Sequence, residues 1–465
     1  MLGPDHEVPE VCMPERFEEA PEETQEIDLT VWWKQFGDPE MESYIEDALC
    51  QNLDLGIALH KVEEVRGLYR IDRSQLMPQI VGNMLALRAR RSENLGGDVI
   101  EGPEATTDLV PTDFSGPLIQ NFFQVGFDAS WEIDIWGKNR RRAEAAYRDF
   151  EASQENALAV QITLISDVAR NYIDIRVLQK LIEAKKEQIC RSEDLVCLTE
   201  SRYCAGLTSE LDVARAKAQL GTQAANLPPL EQSLKETIHA LAILLGRPPE
   251  QFALCFENEG DIPEGSGVIP ADLPSELLCR RPDIRQAERE LAAATSRIGV
   301  AKAEFFPSFS LLGSFGVQST EGDQLFLWPS RFWTIGPGMV WNLFTGGRLI
   351  AQVKVANERQ KQAILTYEKV VYQAFQEVED RLVGYFKEEE RLARLGERVE
   401  SHCLQRTLSS EQFLSGLISL DDVLDAERDL YLAIQAELES QGVLLTQLIG
   451  LYKALGGGWD CSDLL

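Results

Sequence analysis

The chain repeats itself, and this repeat limits its possible folds more than any other feature. The two copies match residues 131–246 with 341–456 and residues 49–78 with 278–307. Trp131 thus matches Trp341 and Gly206 matches Gly416, with no gap between them. The first copy carries additional chain between its two matched stretches. The protein is therefore predicted to consist of two copies of one long unit.

Each copy contains segments in which apolar and polar residues alternate. They cover residues 123–133 in the first copy and residues 309–318 and 333–343 in the second. A period of two predicts β-strands, two in each copy and four in the chain. Aromatic residues at the strand ends and small or polar residues on the other face suit strands that face lipid. A half-buried sheet in a soluble domain fits the same alternation, so this pattern alone leaves both possibilities open.

A long helix follows the strands in each copy. Residues 138–202 contain no glycine or proline, and only Gly384 and Gly396 interrupt residues 349–411. The apolar spacing of four and three residues predicts a coiled-coil seam through Gln161, Ile165, Val168, Tyr172 and Ile175, and through Val371, Phe375, Val378, Leu382 and Tyr385. At 1.5 Å per residue, such a helix is about 90 Å long. Another helix is expected over residues 41–74.

Composition and charge exclude several classes of function. The formal net charge of −31 argues against nucleic-acid binding, which needs a basic surface. The nine cysteines form no CxxC pair, so we expect no zinc site and no other metal or cofactor. Cys190, Cys197 and Cys204 are seven residues apart, and ordinary heptad packing is expected for them. The sequence has no run of about 18 apolar residues, so no transmembrane helix is expected. Residues 1–6 do not resemble a signal peptide.

The expected organisation follows from these segments. The domains are an acidic leader (1–40), a first repeat (41–246, with a strand pair at 78–134 and a helical hairpin at 138–246), a linker (247–272), a second repeat (273–456, with a strand pair at 307–344 and a hairpin at 347–456) and a C-terminal tail (457–465). Four strands cannot close a barrel, for which about eight is the practical minimum. If the strands span a membrane, several chains must share one barrel, and three chains would supply twelve strands.

Four stretches of sequence resemble motifs of a known family. They are residues 273–288 (LPSELLCRRPDIRQAE), 298–309 (IGVAKAEFFPSF), 130–138 (SWEIDIWGK) and 423–428 (VLDAER). Together they are similar to the TolC-type outer-membrane efflux factors of the OprM/NodT lipoprotein branch. Residues 3–9 (GPDHEVP) resemble the stretch that follows the lipid-bearing cysteine in this branch, although the sequence shows no signal or lipobox before them.

The resemblance implies both a fold and a function. The fold is a mixed membrane β-barrel and α-helical coiled-coil tunnel, in which a homotrimer builds a 12-stranded barrel in the lipid bilayer of the outer membrane. The helical tunnel would lie in the periplasm. The function is that of an exit duct, which conducts drugs or other small molecules passively from a periplasmic adaptor and an inner-membrane pump of the resistance-nodulation-division or a similar type.

The turns of the two hairpins are the predicted adaptor contacts. The residues concerned are Gly206, Leu207 and Ser209 in the first hairpin and Gly416, Leu417 and Ser419 in the second. Glycine accepts a positive φ without strain and allows a sharp turn. The serines are placed to cap the returning helices, and the leucines would be exposed to the partner.

The family motif also implies a periplasmic gate. Its aspartate and arginine correspond to Asp425 and Arg428, which lie three residues apart and therefore on one helix face. Asp421 and Asp422 precede them, and Asp421 stands where the family often has an apolar gate residue. A simple surface ion pair, worth under about 1 kcal/mol, is the alternative for Asp425 and Arg428. If the acidic surplus lines the lumen, it would favour cations.

The sequence also bears on two other classes of function. An enzyme is not expected, because no G-x-S-x-G, HExxH, Walker or Rossmann pattern occurs in its required context. Asp421 and Asp422 are adjacent on a helix and do not face each other, so they do not form a catalytic pair. A soluble coiled-coil interaction scaffold remains the alternative, since long hairpins alone would also fit that role.

Overall fold

A computed structural model describes residues 1–9, 17, 28–90, 119–252, 260–265 and 280–459. The chain divides into two compact units. The first comprises Met1–Val8, Glu64–Phe150 and Arg289–Ile364, and the second comprises Pro9–Glu63, Glu151–Glu288 and Leu365–Leu465. Each unit thus takes segments from both sequence repeats.

The order of the elements confirms the predicted repeat. The elements are α1 (Pro39–Gln51), α2 (Leu53–Ser74), β1 (Gln79–Arg90), β2 (Ile119–Ile133), α3 (Lys138–Cys204), α4 (Glu210–Ala225), α5 (Leu227–Leu244), α6 (Pro249–Phe252), α7 (Pro282–Ala303), β3 (Ser308–Ser319), β4 (Arg331–Val340), α8 (Arg348–Leu414) and α9 (Leu420–Ala454). A helix, two strands, a very long helix and a return therefore occur twice. The residues of α3 and α8 number 67 each.

Two helices predicted to be continuous are interrupted. The helix expected over residues 41–74 is α1 followed by α2, because Asn52 adopts an extended ψ of 132° between them. The Asn52 side chain accepts a hydrogen bond from the Leu55 amide (2.8 Å) and donates one to the Leu244 carbonyl oxygen (2.7 Å). The return helix of the first hairpin is likewise divided into α4 and α5, since Pro228 at the start of α5 has no amide hydrogen to donate.

The first unit contains an antiparallel sheet in the order β1-β2-β3-β4. Cross-strand register places Phe127 beside Phe315 and Phe315 beside Trp333. One face of the sheet is apolar, and the exposed side chains on it include Ile80, Met84, Phe127, Phe315, Trp333 and Ile335. The predicted alternation is confirmed, with one departure: β4 ends at Val340.

The opposite face of this sheet carries polar side chains together with apolar ones such as Val81, Leu85 and Leu312. The Asn83 amide donates to the Asp128 carboxylate, and the Ser314 and Thr334 hydroxyls are 2.5 Å apart. Trp341, which was predicted to continue β4, instead donates its indole N–H to the Phe305 carbonyl oxygen at 3.0 Å. The sheet thus has one apolar face and one mixed face that carries these side-chain hydrogen bonds, which suits strands that face lipid on one side.

The second unit has its own hydrophobic core. The Trp32 ring stacks on the Tyr452 ring at 5.2 Å between centroids, and both side chains are fully buried. The predicted coiled-coil seams contribute to the helix packing through the buried residues Ile165, Val168, Tyr172, Ile175, Val371, Val378, Leu382 and Tyr385. The expected packing of Cys190, Cys197 and Cys204 is wrong for the single chain, because all three side chains are exposed.

Among the described residues, no helix is both long enough and apolar enough to cross a membrane.

Candidate gate at the hairpin tips

The two hairpin turns have the same backbone geometry. Gly206 and Gly416 adopt φ values of 74° and 76°, as the sequence predicted for sharp turns. In each turn the glycine amide donates to the carbonyl oxygen three residues earlier, Tyr203 (2.9 Å) or Phe413 (3.0 Å). The next amide, of Leu207 or Leu417, donates five residues back at 2.9 Å. This paired arrangement closes the end of α3 and of α8.

The return helices begin with identical capping boxes. The Ser209 hydroxyl accepts a hydrogen bond from the Asp212 amide, and the Asp212 carboxylate accepts one from the Ser209 amide at 3.1 Å. Ser419 and Asp422 make the same pair of hydrogen bonds at the start of α9. These bonds satisfy amides that a helix start leaves without partners. Asp422, predicted to belong to the gate, is therefore held at a helix cap.

Hydrogen bonding also lowers the pKa of both capping aspartates. For Asp212 the main cause is the hydrogen bond from the Thr208 hydroxyl, followed by the hydrogen bonds from Ser209. For Asp422 the main cause is the hydrogen bond from the Ser419 hydroxyl, at 2.6 Å. Both carboxylates are consequently ionised wherever the tips are folded at neutral pH.

A small apolar cluster packs the two tips together. Its buried members are Val196, Ala216, Phe413, Leu420 and Val423, which come from α3, α4, α8 and α9. Arg202, near the end of α3, donates to the Phe413 carbonyl oxygen at 2.9 Å, and its guanidinium lies 4.5 Å from the centre of the Phe413 ring. The first hairpin therefore contacts the second both through side-chain packing and through a hydrogen bond.

The remaining predicted gate residues form ion pairs. Arg428 lies 3.0 Å from Asp425, and its other terminal nitrogen is 3.3 Å from Asp429. Asp421 does not join this group, because it accepts a hydrogen bond from Arg215 of α4 at 2.6 Å. All three of Asp421, Asp425 and Arg428 are about half exposed. The structure thus places two separate ion pairs on the first turns of α9.

Arg215 was not among the predicted site residues. It joins the two hairpins directly, whereas the Asp425–Arg428 pair lies within one helix. The sequence contains a general signal for it: Arg215 matches Asp425 in the repeat, so the two tips carry opposite charges in this turn, although the residue that Arg215 contacts is Asp421. Oppositely charged residues at matching positions of two neighbouring tips can pair across them.

Charged side chains with little solvent exposure lie behind the tips. The Lys185 ammonium donates to Gln188 (3.0 Å) and Gln223 (2.5 Å) and lies 4.1 Å from the centre of the Tyr431 ring, and burial lowers its pKa. Glu427 is 3.8 Å from Arg406, and burial raises the pKa of its carboxyl group. Among the described residues, no three His, Cys, Asp or Glu side chains are arranged to hold a metal ion.

The predicted contact leucines are exposed at the turns. Leu207 is 70% exposed and Leu417 is 75% exposed. Large apolar side chains in such exposed positions are typical of surfaces that bind a partner, although single ones also occur on ordinary surfaces. Ser209 and Ser419 lie beside them but use their hydroxyls for capping.

A sheet with one apolar face, together with two long helical hairpins that meet at their tips, defines the class of outer-membrane channel subunits. The chain belongs to the outer membrane efflux protein family, whose sequence model matches residues 44–247 and 273–457. It is therefore the outer-membrane component of an efflux system and not an enzyme. The predicted partners and location are confirmed with the family: a trimer that works with a periplasmic adaptor and an inner-membrane pump, its helices in the periplasm.

Individual relatives cover almost the whole chain. The solvent efflux pump outer membrane protein SrpC of Pseudomonas putida is 33% identical over 92% of this chain and 87% of its own length. The pyoverdine export outer membrane protein OpmQ of Pseudomonas aeruginosa is 31% identical over 93% of this chain and 88% of its own. These matches exclude the soluble scaffold that the sequence had left as an alternative.

Solved structures agree with this assignment. The outer-membrane channel OprN superimposes with a TM-score of 0.87 at 29% identity and covers 98% of this chain and 99% of its own. The open state of the MtrE outer membrane channel of Neisseria gonorrhoeae gives a TM-score of 0.83 at 29% identity over 99% and 98% of the two chains. The predicted fold class is thereby confirmed.

Proposed function

We propose that the two hairpin tips form the closed periplasmic end of an efflux duct, and that two ion pairs hold this end closed. The pairs are Arg215–Asp421, which joins the first hairpin to the second, and Asp425–Arg428, which lies on the first turns of α9. Three chains close their four strands into one barrel of twelve, so each ion pair occurs three times around the pore.

The observation that carries the proposal is the Arg215–Asp421 contact at 2.6 Å between α4 and α9. Outward movement of either hairpin tip would break it. One exposed ion pair contributes roughly 0–1 kcal/mol. Three symmetric copies that act together give a closed state favoured by a few times that amount, which a bound adaptor can overcome.

The Asp425–Arg428 pair serves the same closed end in a different way. Around a threefold axis, three Asp425 carboxylates and three Asp421 carboxylates would repel one another unless cations lie beside them. Arg428 and Arg215 supply these cations. The carboxylates that remain exposed make the entrance selective for cations over anions.

The substrate class is broad in the relatives. Their names refer to solvents and toluene in Pseudomonas putida and to pyoverdine in Pseudomonas aeruginosa. We therefore propose that this chain also exports small organic molecules, with the choice of substrate made mainly by the pump. Adaptor contact falls on Leu207 and Leu417, the exposed leucines of the two turns.

Single-channel recording in planar bilayers tests the gate. Asp425→Ala with Arg428→Ala should raise the resting conductance several-fold, and cells that carry the variant should become susceptible to large antibiotics. Lys387→Ala with Glu390→Ala is the matched control, because this pair on α8 has the same i, i+3 spacing and is also exposed. Wild-type conductance and wild-type drug susceptibility in the Asp425/Arg428 variant would remove this pair from the gate, and the same result with Arg215→Ala would reject the gate.

A further inference from the structure

A cavity in the first unit lies outside the tip residues. It has a volume of about 780 Å³ and is bordered by α2, α3, α7 and α8. Small apolar side chains form much of its wall: Ala145, Ala146, Ala294, Ala301, Ala351 and Ala356. The volume falls within the range of sites that take drug-sized ligands, roughly 300–1,000 Å³.

Arginine dominates the charged part of the wall. Of its four arginines, only Arg297 pairs with a carboxylate, that of Asp149. Arg142 donates to the neutral Gln75 side chain, and Arg348 donates weakly to Gln352 at 3.5 Å. In the described part of the chain, Arg359 has no carboxylate partner.

The carboxylates of the cavity do not balance these arginines. Asp149 is engaged by Arg297, and Glu304 lies 3.7 Å from Lys138. Asp72 alone among the described wall carboxylates has no ion-pair partner. The wall thus has three guanidinium groups without a carboxylate partner and one carboxylate without an ion-pair partner. This local positive charge is notable because the whole chain has a formal net charge of −31.

The wall also lowers the local polarity. Burial is the largest influence on Asp149 and raises the pKa of its carboxyl group, even though Arg297 acts against this shift. A charge held near such an apolar wall interacts more strongly with an opposite charge than it would in open water. Arg348 and Arg359 are themselves exposed but border this wall, so an anion bound against the wall would be attracted to them more strongly than in open water.

We propose that this cavity binds amphipathic anions: molecules with an aromatic or aliphatic body and one carboxylate or sulfonate group. The body packs against the alanine wall, and the anionic group accepts hydrogen bonds from Arg348 or Arg359, which stand at the two ends of the α8 segment that borders the cavity. The planar guanidinium group suits this recognition because it can donate two parallel hydrogen bonds to one oxyanion. A role for such binding in export rests on the proposed duct function.

The probe pair 1-anilinonaphthalene-8-sulfonate and N-phenyl-1-naphthylamine tests the proposal, because the two fluorophores differ only in the sulfonate group. Binding is measured by fluorescence with the full-length channel in lipid nanodiscs, against empty nanodiscs. Arg348→Gln with Arg359→Gln should raise the Kd of the sulfonate about tenfold, the effect of losing roughly one charge-assisted hydrogen bond. The Kd of the neutral amine should stay unchanged.

Two further variants control for charge and for folding. Arg391→Gln with Arg394→Gln removes two positive charges from the same helix, α8, outside the cavity, and should leave both Kd values unchanged. Ala356→Phe narrows the cavity and should weaken both probes. Equal binding of the two probes to the wild-type channel would overturn the proposal. So would a sulfonate Kd that responds to neither the Arg348/Arg359 pair nor Ala356→Phe.

The same samples separate this proposal from the duct function. A channel that conducts normally but shows none of these differences would remove the anion site and leave the proposed duct intact. An unmodified channel that does not conduct would instead contradict the proposed duct function.

Discussion

The two hairpin tips are built alike but charged differently. Gly206, Ser209 and Asp212 of the first tip have exact counterparts in the second, and both sets make the same turn and the same capping box. The ionic residues are not duplicated: Asp421, Asp425 and Arg428 match Leu211, Arg215 and Ala218 in the first copy.

This difference separates residues that build the turn from residues that give the second tip its own role. A residue present in both copies has a task that both copies need, which here is the closing of one helix and the starting of the next. Asp422 belongs to this group, since it repeats Asp212. Asp421, Asp425 and Arg428 belong to the other group, and Arg215 joins them through its contact with Asp421.

The largest effect should come from the exposed leucines that the two tips share. Leu207→Asp or Leu417→Asp should abolish chemical cross-linking to the adaptor, because each places a charge in an apolar contact. Each side chain is exposed, so trimer formation and membrane insertion should persist. Loss of cross-linking in only one variant would show that the two tips are not equivalent to the adaptor. Normal cross-linking in both would remove the leucines from the interface.

An intermediate effect is expected from the ion pair between the tips. Arg215→Ala should raise the resting single-channel conductance, by less than the Asp425/Arg428 double variant does, because it leaves that pair in place. Lys217→Ala is the matched control, since Lys217 binds Glu200 within the first hairpin at 2.6 Å with similar exposure. If Lys217→Ala opened the channel as much as Arg215→Ala, the contact between hairpins would have no special role.

The smallest effect concerns pH. Because the pKa values of Asp212 and Asp422 are lowered from the ordinary 3.8 in the folded tips, their ionised forms stabilise both tips above that value. This stabilisation should disappear as the pH falls through the lowered values. Hydrogen exchange of the tip amides, corrected for intrinsic rates, should show both tips loosening together.

Glu427 should give the second tip an additional response to falling pH, which stabilises this tip whereas the loss of the caps destabilises it. Its pKa is raised above the ordinary 4.5, so its charge destabilises the folded tip at neutral pH. Protection of the second tip should therefore increase as the pH falls through this raised value, before the caps weaken. Glu427→Gln should remove this first phase. The first tip has Lys217 at the matching position, so its amide protection should not increase in this pH range. An equal increase in both tips would contradict the assignment to Glu427.

Much of this architecture could be predicted from local patterns. The turn glycines, the capping serines and the seam residues were predicted correctly, because each depends on backbone geometry or helical spacing that a short stretch of sequence determines. The strand faces were also predicted correctly. Alternation determines which side chains share a face, and the register then aligns Phe127 with Phe315 and Trp333.

The remaining features depend on contacts between distant parts of the chain. Asn52 ends α1 and caps the next helix while it donates to Leu244, a partner that local spacing does not reveal. Trp341 fits the alternation of a strand, yet its indole bonds to Phe305 outside the sheet. Arg215 gains its importance from Asp421 on another helix, a partner that the sequence does not reveal.

The order of the sheet has a consequence for assembly. Within the described chain, β1 and β4 each have a hydrogen-bonded neighbour on one side only, so a newly made subunit exposes two strand edges. Such edges also pair with wrong partners and promote aggregation. A slip of one residue where β4 of one copy meets β1 of the next would exchange the apolar and polar faces. Correct joining of three subunits therefore depends on the register between neighbouring copies, because every odd shift would turn apolar side chains away from lipid.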